Sequence, residues 1–141
     1  MSIFEPGNAL WASRVRSILR IVSGLIFLTS GTTKIFNYPP LPAGMPPIEL
    51  MSQAGIGGLL ELVLGFLIAI GLLTRPAGFI ASGVMAVAYF QFHAPQGFFP
   101  TVNQGTPAVL LCFIFFYLVF AGAGVWSVDE MLARSRRAPV R

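Results

Sequence analysis

Four long apolar segments dominate this chain, and polar or proline-rich stretches separate them. They cover about residues 17–36, 54–73, 77–92 and 107–125. A helix needs about 20 apolar residues to cross the hydrocarbon core of a bilayer, and the first, second and fourth segments reach that length. The third segment is a little short, and Tyr89, Gln91 and His93 at its end would carry it to the interface. The pattern predicts an all-α protein, a transmembrane four-helix bundle.

The composition excludes an ordinary soluble domain, because 55% of the 141 residues are hydrophobic and only 10% are charged. Soluble domains carry roughly 25% charged residues, and a chain this short could not bury so much apolar surface. Membrane-spanning β-strands would alternate polar and apolar residues over segments of about 10 residues, which disfavours them here. We therefore expect a multi-pass protein of the cell (inner) membrane, with the lipid bilayer as its first partner.

The basic residues indicate the orientation of the four crossings. With four passes, all eight arginines fall on one side, and Lys34 lies only at a helix end. Because basic residues accumulate on the cytoplasmic side, we predict that both termini are cytoplasmic, N-in and C-in. The predicted organisation is a cytoplasmic basic lead over residues 1–16, a transmembrane domain over 17–126 and a cytoplasmic basic tail over 127–141. Nucleic acid is not an expected partner, since no basic surface remains between the two ends.

The connections between the segments carry helix-breaking residues. Five prolines lie between Asn37 and Gln53, which excludes a helix interior and predicts a loop. The short turn at residues 74–76 makes the second and third helices antiparallel neighbours. The first segment is longer than the apolar core of a signal peptide and no A-x-A cleavage site follows it, so we interpret it as a retained anchor.

Small residues at helical spacing predict where the helices pack in lipid. They are Gly24 and Gly31 in the first segment, Gly57, Gly58 and Gly65 in the second, and Gly78, Ser82 and Ala86 in the third. We expect these faces to meet inside the bundle, with Gly31 and Gly65 in structural roles.

Glu61 is the most informative single residue. A lone carboxylate roughly 10 Å inside the hydrocarbon boundary is costly unless it has a partner or a proton. It shares a helix face with glycines, and Lys34 near the outer end of the first segment is its natural partner. One interpretation is a ligand-binding pocket near the outer face, built by Lys34, Glu61, Ser30 and Thr33. The other is a structural link between two helices, with Lys34 reaching outward to the interface.

The single histidine, His93, lies four residues after Tyr89, so both would share a face at the outer end of the third helix. One interpretation is that it shuttles protons or binds a quinone carbonyl, and the other is that it caps a helix end or hydrogen-bonds to a loop. One histidine and one cysteine exclude bis-histidine haem ligation and a dithiol pair within one chain, and we expect no metal site. No cofactor is certain from the sequence, and a quinone is the candidate.

The remaining charged residues are interpreted as structural. Arg20 and Arg75 are expected to set orientation, and Arg75 lies where it can neutralise a helix C-terminus. Ser127 is the predicted N-cap of a short interfacial helix that begins with Asp129 and Glu130.

Several short stretches recur in an order that is typical of one family. They are Leu19-Arg20, residues 30–34 with the sequence SGTTK, Glu61 before Gly65, residues 71–76 with the sequence GLLTRP, residues 88–93, and residues 122–129. Together they resemble the DoxX family of small four-helix membrane proteins, over roughly residues 15–132. The family usually ends in Gly-Pro-Gly where Ala123 stands here, which predicts a less rigid turn. The resemblance implies the four-helix fold and an association with redox systems, including a branch similar to the membrane subunit of thiosulfate:quinone oxidoreductases.

Two functional hypotheses follow. The first is a redox-associated, quinone-interacting membrane subunit with Lys34, Glu61 and His93 around the headgroup, and at most the membrane part of an oxidoreductase system. The second is a non-catalytic interaction or assembly subunit without a bound cofactor, whose partner is another membrane protein, a redox subunit or a second copy of itself. A transporter is a weaker third hypothesis, because no second charged residue pairs with Glu61 at the midplane.

Overall fold

The computed structural model describes residues 6–137, and within that range the chain is helical, with no strand. The elements are α1 (Pro6–Phe36), α2 (Gln53–Ile70), α3 (Thr74–Ala88), a π-helical turn (Tyr89–His93), a short 3-10 turn (Ala94–Gln96), α4 (Thr106–Ala121) and α5 (Val128–Arg137). The prediction of an all-α protein is confirmed over these residues.

Three helical stretches are long and apolar enough to cross a bilayer, namely Asn8–Phe36, Gln53–Ile70 and Thr74–Gln96. The fourth, α4, has only 16 residues. The sequence interpretation had these lengths reversed, with a short third helix and a full-length fourth. The third stretch gains length because the π-helical and 3-10 turns continue it to Gln96, while Gly122 adopts a φ of 79° and ends α4 at Ala121.

The first helix begins well before the apolar segment. It starts at Pro6, so residues 6–16 of the predicted basic lead continue the helix that carries Lys34 near its other end. Proline is favoured at the first helical position because its φ is already suitable and its missing N–H would have no partner there. No further proline interrupts the chain before Phe36, so one helix carries both the basic and the apolar part.

The glycine faces of α1 and α2 meet, as their spacing predicted, except at Gly57, where an added Cβ would have no atom within 4 Å. A Cβ atom on Gly31 would lie 2.5 Å from the backbone nitrogen of Leu62, and one on Gly65 would lie 2.5 Å from that of Leu28. The two backbones therefore touch directly, which is the usual way in which helices associate in lipid.

The third and fourth helices form a second antiparallel pair. A Cβ on Gly78 would lie 3.0 Å from the carbonyl oxygen of Phe115, and the Ser82 hydroxyl lies 3.5 Å from the Cys112 sulfur. The pairs are joined through contacts of α2 with α3, and the tilted rings of Phe27 and Phe115 lie 4.9 Å apart, centroid to centroid, in the shared core. The helices therefore pack in the order α1, α2, α3, α4.

Arg20 ties three segments together at one end of the protein. Its side chain is fully buried, and its guanidinium donates hydrogen bonds to four backbone carbonyls. Nε donates to Ala123 at 2.8 Å, Nη1 donates to Ile68 and Ala69 at 2.6 Å, and Nη2 donates to Trp126 at 2.5 Å. One guanidinium thus satisfies carbonyls at the C-terminal end of α2 and in the connection that follows α4.

Two further charged residues cap helices at this end, which we call the arginine end. The Asp129 carboxylate accepts hydrogen bonds from the backbone N–H groups of Leu73 and Thr74, at 2.8 and 2.9 Å, where α3 begins. Arg75 Nη1 donates to the last carbonyls of α4, at 2.8 Å from Val119 and 3.0 Å from Phe120. The negative Asp129 lies at the N-terminus of α3 and the positive Arg75 lies at the C-terminus of α4, so each charge stabilises the helix dipole that it faces.

Candidate functional site

A cavity of about 650 Å³ lies between the α1–α2 pair and the α3–α4 pair, at the end opposite the arginine end. Its walls are mostly apolar, and its polar lining comes from a few side chains only: Ser30, Lys34, Gln53, Glu61 and His93. Ligand pockets in proteins typically have this size and this mixture of apolar walls and a few polar groups. We call it the outer cavity.

The outer cavity opens sideways, between side chains that face the surroundings of the helices. Ile26, Leu60 and Val87 line it and are also exposed on the helix surfaces, at 54%, 38% and 51%. A molecule that enters between such residues comes from an apolar phase, so the opening suits a lipid-soluble compound.

Glu61 lies inside the outer cavity and has partners for both carboxylate oxygens. Its side chain is 3% exposed, and Lys34 Nζ lies 2.6 Å from Oε1. The Ser30 hydroxyl donates to Oε2 at 2.8 Å. A buried carboxylate is tolerated when it is paired and hydrogen-bonded, which explains how α2 can carry it here. Lys34 is 29% exposed, so its ammonium also reaches the opening of the cavity.

His93 lies at the end of the π-helical turn and lines the outer cavity. Its Nδ1 is 3.0 Å from the carbonyl oxygen of Asn103. A carbonyl oxygen can only accept, so Nδ1 carries a hydrogen and Nε2 of the neutral ring has a free lone pair. The cavity therefore combines a cationic donor, Lys34, with a histidine whose second nitrogen can accept or carry a proton.

Thr33 and Tyr89 are not in the outer cavity, although the sequence interpretation grouped them with it. Thr33 lies in a shallow groove on α1 beside Ser30. Positions 33 and 34 lie on opposite sides of Ser30 around the helix, so only Lys34 turns towards Glu61.

Tyr89 shares its side of the helix with His93, as predicted, and their rings stack at 6.4 Å. However, Tyr89 is 7% exposed, and its hydroxyl donates to the Phe98 carbonyl. Asn103 Nδ2 lies 3.4 Å from the same hydroxyl. Tyr89 therefore holds the loop between α3 and α4 in place, which is a structural role.

Gln53 and Asn103 form hydrogen bonds at the cavity end of the protein, and sequence reasoning did not identify either as a site residue. Gln53 lines the cavity and donates to the Gln91 side chain of the neighbouring helix. Asn103 is 3% exposed, donates to the Gly97 carbonyl at 2.6 Å and accepts from the Gly105 N–H at 2.8 Å. An asparagine among glycines is a turn signal, and this was the available clue.

Among residues 6–137 no group of three or more His, Cys, Asp or Glu side chains is arranged to hold a metal ion.

The DoxX family sequence pattern matches residues 15–94, more than half of the chain. This chain belongs to the DoxX family. An uncharacterized protein of Haemophilus influenzae is 39% identical over 117 residues, which cover 81% of this chain and 87% of that protein. An uncharacterized membrane protein of Mycobacterium tuberculosis is 27% identical over 135 residues, which cover 85% and 82% of the two chains. No solved structure matches.

The part of this DoxX protein that matches the family contains Lys34, Glu61 and His93, the three charged or titratable residues of the outer cavity. With its apolar helices and its membrane-protein relatives, the chain is a membrane protein.

The Lys34–Glu61 pair of this DoxX protein gives a direct stability prediction. Replacing Lys34 with methionine should lower the free energy of unfolding by about 2 kcal/mol, because a buried carboxylate loses its counter-charge. Adding Glu61→Gln to that variant should recover most of the loss, which denaturant titration in detergent would measure. If the losses of the two single variants simply add, the residues are not coupled.

Proposed function

We propose that this DoxX protein is a redox-associated membrane subunit that binds a quinone in the outer cavity. The observation that carries the proposal is the buried Glu61 carboxylate, held by Lys34 and Ser30 inside an otherwise apolar cavity that opens towards lipid. A quinone combines a ring with polar oxygens and an apolar tail, so it matches both parts of this cavity.

The donor and acceptor groups of the cavity fit a quinone and its reduced form. The Lys34 ammonium has three N–H donors and donates one of them to Glu61, so another can donate to a quinone carbonyl. His93 Nε2 can accept from a quinol hydroxyl while Nδ1 stays bonded to Asn103. Glu61 holds the ammonium in position, and Ser30 holds the carboxylate. The bound group itself would supply the electron-carrying chemistry.

The same proposal includes four membrane crossings with both termini in the cytoplasm. Although α4 has only 16 residues, it packs against α3. Arg75 near the start of α3 reaches the last turn of α4, and Pro107 at the start of α4 lines the cavity with His93. The seven arginines among residues 6–137 then lie on the side of the arginine end, which supports a cytoplasmic position for that end.

Binding of a quinone to variants of the cavity tests the function. We expect Glu61→Gln and His93→Ala each to raise the Kd of purified protein for decylubiquinone about five- to tenfold, the value of one hydrogen bond to a charged or polar partner. Glu61→Gln keeps the size of the side chain and removes the charge that positions Lys34.

The controls are Glu49→Gln and Gln96→Ala, which alter exposed residues that do not line the cavity. Both should bind decylubiquinone as the wild-type protein does. Unchanged affinity in both cavity variants would refute the quinone site. A stable complex with another membrane protein and no quinone binding would favour the assembly subunit instead.

A further inference from the structure

We infer that Gly57 of α2 and Gly83 of α3 form the seat for the ring of the ligand and select a planar headgroup. This inference rests on the proposed quinone function and adds the residues that determine the shape of the ligand. Both glycines line the outer cavity.

Most helical glycines of this protein are explained by close contacts. Cβ atoms on Gly24, Gly31 and Gly65 would all lie within 2.6 Å of backbone atoms of the neighbouring helix. Gly57 and Gly83 have no atom within 4 Å of such a Cβ, and neither has a positive φ. Glycine is unfavourable inside a helix relative to alanine, so these two positions lack a packing or backbone reason to be glycine.

The two glycines also lie beside the polar groups of the cavity. On α2, Gly57 is one helical turn from Gln53 and one turn from Glu61, on the same side of the helix. Gln53 bonds to Gln91, which fixes the register of the antiparallel helices α2 and α3. Counted from that contact, position 83 of α3 lies at about the level of Glu61. Gly83 therefore leaves open space next to the carboxylate.

Because neither position has a side chain and the space beside each is open, the face of a ring could approach the helix backbone directly there. A flexible acyl chain can bend around an added methyl group, whereas a rigid ring cannot. The effect of a single methyl group therefore distinguishes a ring ligand from a phospholipid chain in this cavity.

The test measures decylubiquinone binding and thermal stability for the same purified variants. Gly57→Ala and Gly83→Ala should each weaken binding at least about fivefold, and leucine at either position should abolish it. The melting temperatures of the alanine variants should equal or exceed that of the wild-type protein, because the added methyl meets empty space. Val63→Phe adds bulk on an exposed part of α2 outside the cavity and should leave the Kd unchanged.

The outcomes distinguish the quinone site from the ring seat at Gly57 and Gly83. If the wild-type protein binds and Glu61→Gln weakens binding while the glycine variants bind normally, the ring seat is wrong and the quinone site stands. If the wild-type protein does not bind decylubiquinone, both are overturned. If the alanine variants melt at a lower temperature than the wild-type protein, the space at these glycines is not open, and the ring seat is again wrong.

Discussion

Replacing Arg20 with leucine is expected to lower the free energy of unfolding by about 4 kcal/mol, enough to prevent isolation of a folded protein in harsh detergent. The guanidinium is fully buried and donates to four carbonyls from two parts of the chain. Leucine would remove the guanidinium donor from all four carbonyls, and of these Ile68 would keep the Gly71 N–H as a donor. Denaturant titration in a mild detergent would measure the loss.

Two comparisons make the Arg20 result specific. Arg14→Leu removes a charge from the same helix, where the Arg14 guanidinium lies 5.0 Å from the centroid of the Trp11 ring, and should change stability by less than about 1 kcal/mol. Arg20→Lys keeps the charge and should be intermediate, because one ammonium cannot reproduce the geometry of the guanidinium. A loss for Arg20→Leu no larger than that for Arg14→Leu would contradict the assigned role.

Replacing Gly65 with alanine is expected to lower the free energy of unfolding by about 3 kcal/mol. The added Cβ would lie 2.5 Å from the backbone nitrogen of Leu28 and 2.7 Å from its Cα. Backbone atoms cannot rotate away as a side chain can, so α1 and α2 would have to move apart. That movement would also lengthen the distance between Lys34 and Glu61, which bridge the same two helices.

The matched control for Gly65→Ala is Gly57→Ala on the same helix. It makes the same chemical change where no atom lies within 4 Å of the new Cβ. It should leave stability unchanged or raise it by up to about 1 kcal/mol, because alanine favours the helix. Equal effects at the two positions in chemical denaturation would show that helix propensity, and not backbone contact, determines the cost.

The sequence predicted the helices well where local patterns determine them. Apolar length located the spans, and glycine spacing located the contact between α1 and α2. The length of α4 was wrong, because Gly122 and its positive φ end the helix within a continuous apolar run. A hydropathy pattern carries no information about such a backbone conformation.

The site was predictable only in part. Glu61 and Lys34 were paired because a carboxylate in hydrocarbon needs a counter-charge and only one was near. The hydrogen-bond partners of the Arg20 side chain lie 48 to 106 residues away, and those of the Asp129 carboxylate lie 55 and 56 residues away, so spacing alone could not identify them. For the same reason Asp129, predicted to begin a short helix, also caps α3. The ligand roles of Lys34, Glu61 and His93 stay predictions.

The π-helical turn after α3 has a consequence for the imidazole. In a helix of regular pitch each residue turns by about 100°, so Gln91 would continue the side formed by Gly83, Val84 and Val87, and His93 would point away from it. A π-helical turn contains more residues than an α-helical turn, so each residue rotates by a smaller angle. The smaller rotation allows His93 to line the cavity. A regular α-helical turn here would rotate the chain's single imidazole out of the outer cavity by roughly a quarter turn, with every residue still present.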